Sequence, residues 1–133
     1  MNLIILTPQD CSQANIANLT GRRLQHVLEV HQAQVGQQLR VGMLNGLMGN
    51  AEVVHLDKQS LQLRFELDQA PPAKLPLTLL LALPRPKMLK RIFQTVATMG
   101  VERVVLMNSY RVEKSFWDSP FLQPDAIQEQ LML

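Results

Sequence analysis

The chain has 133 residues with a formal net charge of +2, and 47% of them are hydrophobic, which is enough for a packed core and excludes a disordered tail. Its longest apolar run, residues 77–83, is too short to cross a bilayer, and the N-terminus lacks a signal-peptide pattern. With Cys11 as its one cysteine, no internal disulfide is possible, and we expect a cytoplasmic protein without a membrane partner.

The first part of the chain is predicted to contain short strands and one helix. Thr20 is a candidate cap for a helix that continues through Leu28. Asn45-Gly46 is a turn signal between two strands, and the strand at 61–67 alternates apolar and polar residues. The predicted strands are 3–6, 38–44, 51–56 and 61–67. Four strands and one helix in about seventy residues predict a small, partly closed β-barrel.

A proline-containing segment, 68–74, separates this part from the rest of the chain. Pro71 and Pro72 end any preceding strand and stiffen the connection. The sequence therefore predicts a domain over residues 1–70 and a second over residues 71–133.

The second part has a β-α-β pattern. The continuous apolar run 77–83 predicts a strand covered on both faces, as in parallel sheets. A helix should begin at Pro86 and end at Gly100, and 104–107 should form the next, parallel strand. The predicted apolar stripe of the helix consists of Met88, Leu89, Ile92, Val96 and Met99.

Positive charge is concentrated in this second part. Residues 85–114 hold seven basic and two acidic side chains, whereas basic and acidic residues cancel over 1–84. Arg85 and Lys87 follow the first strand of the β-α-β unit, and Arg111 and Lys114 follow the second. All four are expected at the carboxyl edge of the sheet, where α/β proteins usually bind ligands and where they could contact phosphate. A merely solvated helix face is the alternative interpretation, which applies best to Lys90 or Arg91.

The sequence gives little support for a metal site, a catalytic nucleophile or a glycine-rich phosphate-binding loop. His26, His31 and His55 lack the spacing of metal ligands, so no metal is expected. Cys11 has no evident base, and no catalytic residue can be assigned. The glycines at 42, 46 and 49 are interpreted as turn glycines rather than as a phosphate-binding loop.

Two segments carry a resemblance to a known family. These are GRRLQHVLEVHQAQVGQQLRVGMLNGLMGNAEV (21–53) and LTLLLALPRPKMLKRIFQTVATMGVERVVLMNSYRVEKSFW (77–117). In order and spacing they resemble the ribosomal RNA small subunit methyltransferase E (RsmE) family of SPOUT-class enzymes. The resemblance implies an enzyme that methylates N3 of a uridine in 16S ribosomal RNA with S-adenosylmethionine. It further implies a PUA-like RNA-binding β-barrel, the first β-α-β unit of a trefoil-knot α/β domain, and a homodimer of the full-length protein.

The resemblance covers about the first half of a typical family member. The glycine-rich cofactor signature of the family has no counterpart before Leu133, so the cofactor site is expected beyond this chain, which alone should be inactive. RNA contacts with 16S rRNA or the small ribosomal subunit are hypothesised for Arg22, Arg23 and Arg40 on the barrel and for Arg85, Lys87, Arg111 and Lys114 on the α/β part. A complete, non-catalytic RNA-binding module and, more remotely, a small nucleotide-binding α/β protein remain as alternatives.

Overall fold

The computed structural model describes residues 3–133, which form two compact units. The first unit ends at Pro71, and the second is Pro72–Leu133. From residue 3 to Pro71 the regular elements are β1 (Ile4–Leu6), β2 (Cys11–Gln13), β3 (Ile16–Leu19), α1 (Gly21–His26), β4 (Gln38–Met43), β5 (Met48–Leu56) and β6 (Leu61–Gln69).

The six strands form one curled sheet, a half-barrel, with the strand order β1-β4-β5-β6-β3-β2. β1 runs parallel to β4, whereas the other neighbouring pairs are antiparallel. The four predicted strands are thus confirmed with small shifts of their bounds. The hairpin of β2 and β3 was missed, because Cys11-Ser12-Gln13 is a short edge strand without a buried residue and therefore has no apolar alternation.

Alternating side chains of the strands build the core of the first unit. Leu61, Leu63 and Phe65 of β6 are buried, while the intervening residues are not, as the period of two requires. α1 adds Leu24 to this core, and a single π-helical stretch, Val27–His31, continues the helix. The predicted helix start is confirmed in position, since Thr20 is the N-cap residue, but its side chain makes no capping hydrogen bond.

The second unit contains β7 (Leu75–Ala82), α2 (Pro86–Met99), β8 (Val101–Met107) and α3 (Pro124–Leu131), with short 3₁₀ helices at Lys114–Asp118 and Pro120–Leu122. β7 and β8 are parallel neighbours, which confirms the predicted β-α-β pattern. The predicted helix signals are also confirmed. Pro86 is the first residue of α2, and Gly100 ends the helix in the left-handed conformation with φ 70°.

Two predictions about packing in this unit were wrong. β7 is not covered on both faces, because Leu80 is 64% and Leu77 is 45% exposed. The buried stripe of α2 is Leu89, Phe93 and Val96, so Phe93 was missed. Met88 and Met99, at 43% and 61% exposure, lie outside the stripe. The spacing i, i+4, i+7 places the three buried side chains on one helical face, and Leu89 and Phe93 pack with Leu81 and Leu106 of the sheet.

None of the helices within residues 3–133 is long and apolar enough to traverse a membrane.

Gly49 occupies a site where the backbones of β5 and β6 approach closely. The register between the two strands shifts at Met48 and Gly49. A Cβ atom added to Gly49 would lie 1.8 Å from the carbonyl oxygen of Glu66, a backbone atom that cannot move without disturbing the sheet. The interpretation of Gly42 and Gly49 as turn glycines was therefore wrong. Gly42 lies within β4, and Gly49 lies within β5, where it allows the backbones of β5 and β6 to approach.

We predict that Gly49→Ala lowers the free energy of unfolding by about 2 kcal/mol or more, because the methyl group must push two paired strands apart. Urea denaturation followed by circular dichroism measures this loss. Gly42→Ala is the matched control on β4, since a Cβ there would meet Leu3 Cδ2 at 3.2 Å, the movable end of a side chain. Equal losses for the two variants would contradict the assignment.

Candidate nucleic-acid interface

β7 and β8 end at the same level, which defines one edge of the parallel pair. Ala82 is the register partner of Met107, and the Leu83 backbone N–H donates a hydrogen bond to the Met107 carbonyl at 3.0 Å. The two segments that follow the strands therefore leave from the same edge. We call the exposed residues Arg85, Lys87, Tyr110, Arg111 and Lys114 on these segments the carboxyl-edge surface.

The first of these segments leads into α2. Arg85 is the N-cap residue of the helix, and its carbonyl oxygen accepts hydrogen bonds from the N–H groups of Met88 at 2.9 Å and Leu89 at 3.0 Å. The first turn of α2 has no acidic residue. The partial positive charge of the helix N-terminus thus adds to the charges of Arg85 and Lys87, which favours an anion at this position.

The second segment is held in place by its apolar residues. The Val112 N–H donates to the Ser109 carbonyl at 3.1 Å, which closes a turn with Tyr110 and Arg111 at its two central positions. Val112 and Phe116 pack against the core of the second unit. The Trp117 Nε1–H also donates to Asn108 Oδ1 at 3.4 Å, so both ends of the segment are anchored.

The four basic side chains of this surface are exposed and unpaired. Within the described residues 3–133, Arg85, Lys87, Arg111 and Lys114 form no ion pair and no side-chain hydrogen bond. Lys90 differs, because its Nζ lies 5.0 Å from the centroid of the Phe121 ring in a cation–π contact. The carboxyl-edge surface therefore keeps its positive charge available for a ligand.

The three basic residues predicted on the barrel lie in different surroundings. Arg22 is exposed at the start of α1. Arg40 on β4 is half-buried and donates to Gln69 Oε1 at 2.9 Å and to Asn50 Oδ1 at 3.4 Å. Their proposed RNA contacts stay predictions.

Arg23 is held by the fold of the first unit. Its Nη2 donates to Asp10 Oδ1 at 2.6 Å, and its Nη1 donates to Asp10 Oδ2 at 2.7 Å and to the Ile5 carbonyl at 2.8 Å. Burial raises the pKa of Asp10, but the hydrogen bonds from Arg23 and from the Thr7 N–H and hydroxyl outweigh it and lower this pKa below 3.8. An RNA phosphate would have to share this guanidinium with Asp10.

The other titratable side chains provide no further site. No group of three or more His, Cys, Asp or Glu residues in the described part of the chain is placed to hold a metal ion. His26 and His31 stack edge to face with ring centroids 5.2 Å apart, and His55 Nε2 lies 2.8 Å from Asp57 Oδ2 at an exposed turn. These contacts belong to the local structure of a helix and a turn.

A cavity of about 270 Å³ lies within the second unit. Its lining is apolar except for Glu102 and consists of Phe93, Val96, Ala97, Val101, Glu102, Val104, Leu106, Ile127 and Leu131. Ligand sites usually combine apolar walls with several placed polar groups, which this cavity lacks.

Sequence reasoning missed two residues of this arrangement. Asp10 was not recognised as the partner of Arg23, and no local pattern links residues thirteen positions apart. Tyr110 was also overlooked, although Asn108 and Ser109 before it are turn-forming residues that could have indicated its exposed position.

Several solved structures share this fold, among them two that are named as methyltransferases. The probable rRNA-methyltransferase from Porphyromonas gingivalis superimposes with a TM-score of 0.69 and 17% identity, over 97% of this chain and 52% of that protein. The ribosomal RNA small subunit methyltransferase E from Neisseria gonorrhoeae, solved with bound S-adenosyl methionine, superimposes with a TM-score of 0.67 and 17% identity, over 86% of this chain and 48% of that protein.

The chain is also similar in sequence to a curated protein. The ribosomal RNA small subunit methyltransferase E of Treponema pallidum (strain Nichols) is 26% identical over 134 residues, which are 99% of this chain and 50% of the relative. The resemblance to RsmE proteins is thus confirmed, and this chain spans about half the length of the relative it matches. No protein-family profile matches the chain.

We predict that Asp10→Asn lowers the free energy of unfolding at pH 7 by about 1.5–3 kcal/mol, the range for hydrogen bonds to charged groups. Because the pKa of Asp10 is lower in the folded state, its stabilisation is complete above 3.8 and is lost as the pH falls through the folded-state pKa. The difference between wild type and variant should therefore shrink below pH 3.8. Urea denaturation at neutral and acidic pH measures this difference.

The matched control removes an exposed ion pair. Glu52→Gln disrupts the contact between Arg64 Nη1 and Glu52 Oε2 at 3.7 Å and should change stability by less than about 1 kcal/mol. A difference for Asp10→Asn that does not vary with pH would contradict the role of the Asp10 charge.

Proposed function

We propose that this chain supplies the RNA-binding part of an S-adenosylmethionine-dependent methyltransferase that modifies N3 of a uridine in 16S ribosomal RNA. The observation that carries this proposal is the carboxyl-edge surface, where four exposed basic side chains have no partner among residues 3–133, on a fold shared with solved methyltransferases. Concentrated positive charge on exposed loops is suited to a phosphate backbone.

The two units correspond in this proposal to two functional parts. The curled sheet of the first unit serves as a PUA-like RNA-binding barrel, and the parallel pair of the second unit is the beginning of a SPOUT α/β domain. Residues 1–70 and 71–133 are the corresponding domains. The RsmE resemblance further supports a cytoplasmic homodimer of the full-length protein, acting on 16S rRNA or the small ribosomal subunit.

The residues of this chain act in the reaction by holding the RNA. N3 of uracil must lose its proton, and an enzyme can promote the transfer by positioning the reactants and by stabilising the developing anion. A base within structured RNA must also be exposed or flipped. Arg85, Lys87, Arg111 and Lys114 would hold the RNA backbone at the second unit. Arg22, Arg23 and Arg40 would bind RNA at the first unit, where Arg23 shares its guanidinium with Asp10. No residue of this chain is assigned a catalytic role.

The methyl group is supplied by S-adenosylmethionine, but the apolar cavity of the second unit does not fit that cofactor. The cavity of about 270 Å³ is lined by apolar side chains, and Glu102 is the charged group in its lining. The adenine, ribose and methionine ends of the cofactor require several placed hydrogen-bonding groups. We propose that the cofactor site lies outside this chain, in a segment that would correspond to the second half of the relatives.

A second candidate function is a non-catalytic RNA-binding module of the same fold. Two observations favour this candidate: the carboxyl-edge surface is basic, and the apolar cavity does not fit the cofactor. Methyl transfer to 16S rRNA by the complete gene product decides between the two. RNA affinity without transfer would favour the module.

We predict that the double variant Arg111→Ala/Lys114→Ala binds a 16S rRNA fragment about tenfold more weakly, because two phosphate contacts are lost. The slope of log affinity against log salt should fall by roughly two, about one for each contact. Fluorescence anisotropy at several salt concentrations measures both quantities.

Arg64→Ala is the matched control for this experiment, since it also removes an exposed arginine but one already paired with Glu52. It should leave the affinity within about twofold. Unchanged affinity and slope for the double variant would remove Arg111 and Lys114 from the proposed RNA surface.

We also predict that calorimetric titration of this chain with S-adenosylmethionine gives no measurable binding, because the cavity lacks the polar groups the cofactor needs. The same protein sample, titrated with the 16S rRNA fragment, serves as the positive control. Saturable cofactor binding would overturn the placement of the cofactor site outside this chain.

A further inference from the structure

The turn Ser109–Val112 presents an unusual pair of residues at its tip. Central turn positions generally carry Gly, Pro, Asn, Asp or Ser, each of which suits the turn conformation or bonds to its backbone. Here the two positions carry Tyr110 and Arg111. The Tyr110 side chain is fully exposed at 102%. A bulky ring at this place contributes no buried area to the fold.

Each of the other aromatic side chains of the described chain is buried or makes a contact within the protein. Phe65 and Phe93 are 9% and 5% exposed. Phe116 packs on the second core, and Phe121 receives the Lys90 ammonium group. Trp117 is 39% exposed and donates its N–H to Asn108. Tyr110 thus differs from the rest, because its whole ring is open to a ligand.

The turn is also held in position before any ligand binds. Its own hydrogen bond joins Val112 to Ser109, and Val112 together with Phe116 anchors the segment to the core. The anchored backbone limits the conformational entropy that Tyr110 and Arg111 would lose on binding. A Tyr side chain has few rotatable bonds, which lowers this entropic cost further.

We propose that Tyr110 stacks on an unpaired RNA base while Arg111 binds the adjoining phosphate. This inference rests on the proposed RNA-binding function and adds to it the class of nucleotide that is recognised. Aromatic rings bind bases by stacking, and basic residues beside them follow the backbone. Arg111 follows Tyr110 in the chain, Lys114 begins the next 3₁₀ helix, and Arg85 and Lys87 follow the neighbouring strand at the same edge, which provides this combination.

The chemistry of the turn favours RNA over a protein partner. Aromatic hot spots in protein interfaces are usually surrounded by residues that exclude water. Apart from Val112, which packs on the core, the residues from Asn108 to Lys114 around Tyr110 are polar or charged and exposed. Because duplex bases are already stacked on one another, the ligand should be a loop or a single strand of RNA.

The test uses the 133-residue chain and two labelled RNA hairpins that share one stem. One hairpin has a loop of unpaired uridines, and the other has the same loop with abasic nucleotides, which keeps the phosphates. Tyr110→Ala should weaken binding to the uridine hairpin about fivefold or more, and to the abasic hairpin by less than about twofold. The salt dependence should stay unchanged, because no charge is removed.

Three further variants isolate the effect of the ring. Tyr110→Phe should keep the affinity within about twofold, whereas Tyr110→Leu, which retains bulk without a π face, should behave like Tyr110→Ala. Met99→Ala is the control for removal of an exposed apolar side chain, since Met99 ends α2 just before β8 begins and is 61% exposed. This control should bind both hairpins as the wild type does.

The outcomes separate this inference from the proposed function. If Tyr110→Ala bound the uridine hairpin as tightly as the wild type does, the stacking role would be overturned. The proposed RNA-binding function would still hold if Arg111→Ala/Lys114→Ala weakened RNA binding. Equal losses on both hairpins would also overturn the stacking role. Unchanged RNA affinity with weaker self-association in size-exclusion chromatography would reassign the turn to a subunit contact. Failure of the wild type to bind either hairpin would refute the proposed function itself.

Discussion

The parallel pairing of β7 and β8 is the constraint on which the candidate interface depends. Two parallel strands need a crossover connection, so the chain must pass through α2 and return to begin β8 at the same end of the sheet where β7 began. The carboxyl ends of both strands then lie side by side, with Ala82 opposite Met107. Residues twenty-five positions apart in the sequence thereby become neighbours along one edge.

Acidic partners determine which basic residues of this protein are available to a ligand. Arg23 is neutralised by Asp10, whose carboxylate is also bonded by Thr7, so its charge serves the fold of the first unit. Arg85 and Arg111 have no such partner within residues 3–133, and the first turn of α2 adds positive potential instead of reducing it. Residue type alone does not distinguish these two situations, because an arginine in either setting looks the same in the sequence.

The structural features that the sequence predicted correctly are those determined by interactions between residues close together in the chain. Pro86 and Gly100 bound α2 as expected, since each acts through its own backbone conformation. The alternation at Leu61, Leu63 and Phe65 gave β6 correctly, because one buried face imposes a period of two. For the site, the pattern predicted that Arg85 and Arg111 follow adjacent strand ends, and the register of β7 and β8 supports that placement.

What the sequence did not predict depends on contacts between distant segments. The edge strand β2 is defined by its pairing with β3 and has no apolar signal of its own. The apolar run of β7 was interpreted as covered on both faces, but the exposure of Leu80 depends on what packs across the sheet, which a run of leucines does not encode. The buried stripe of α2 contains Phe93 and not Met99, because the buried face of the helix is the one that contacts the sheet. That contact joins distant segments of the chain.

The residues of the carboxyl-edge surface belong to neither hydrophobic core. Substituting them should therefore affect ligand binding without destabilising the fold. Arg85, Lys87, Tyr110, Arg111 and Lys114 are exposed, so removing their side chains creates no cavity and leaves no buried partner unsatisfied. Arg23 is the opposite case, because its loss would leave the Asp10 carboxylate, 11% exposed, without its cation. A weaker RNA affinity in an Arg23 variant would therefore combine a lost contact with a disturbed first unit. A weaker RNA affinity in a Tyr110 or Arg111 variant would instead reflect the lost RNA contact alone.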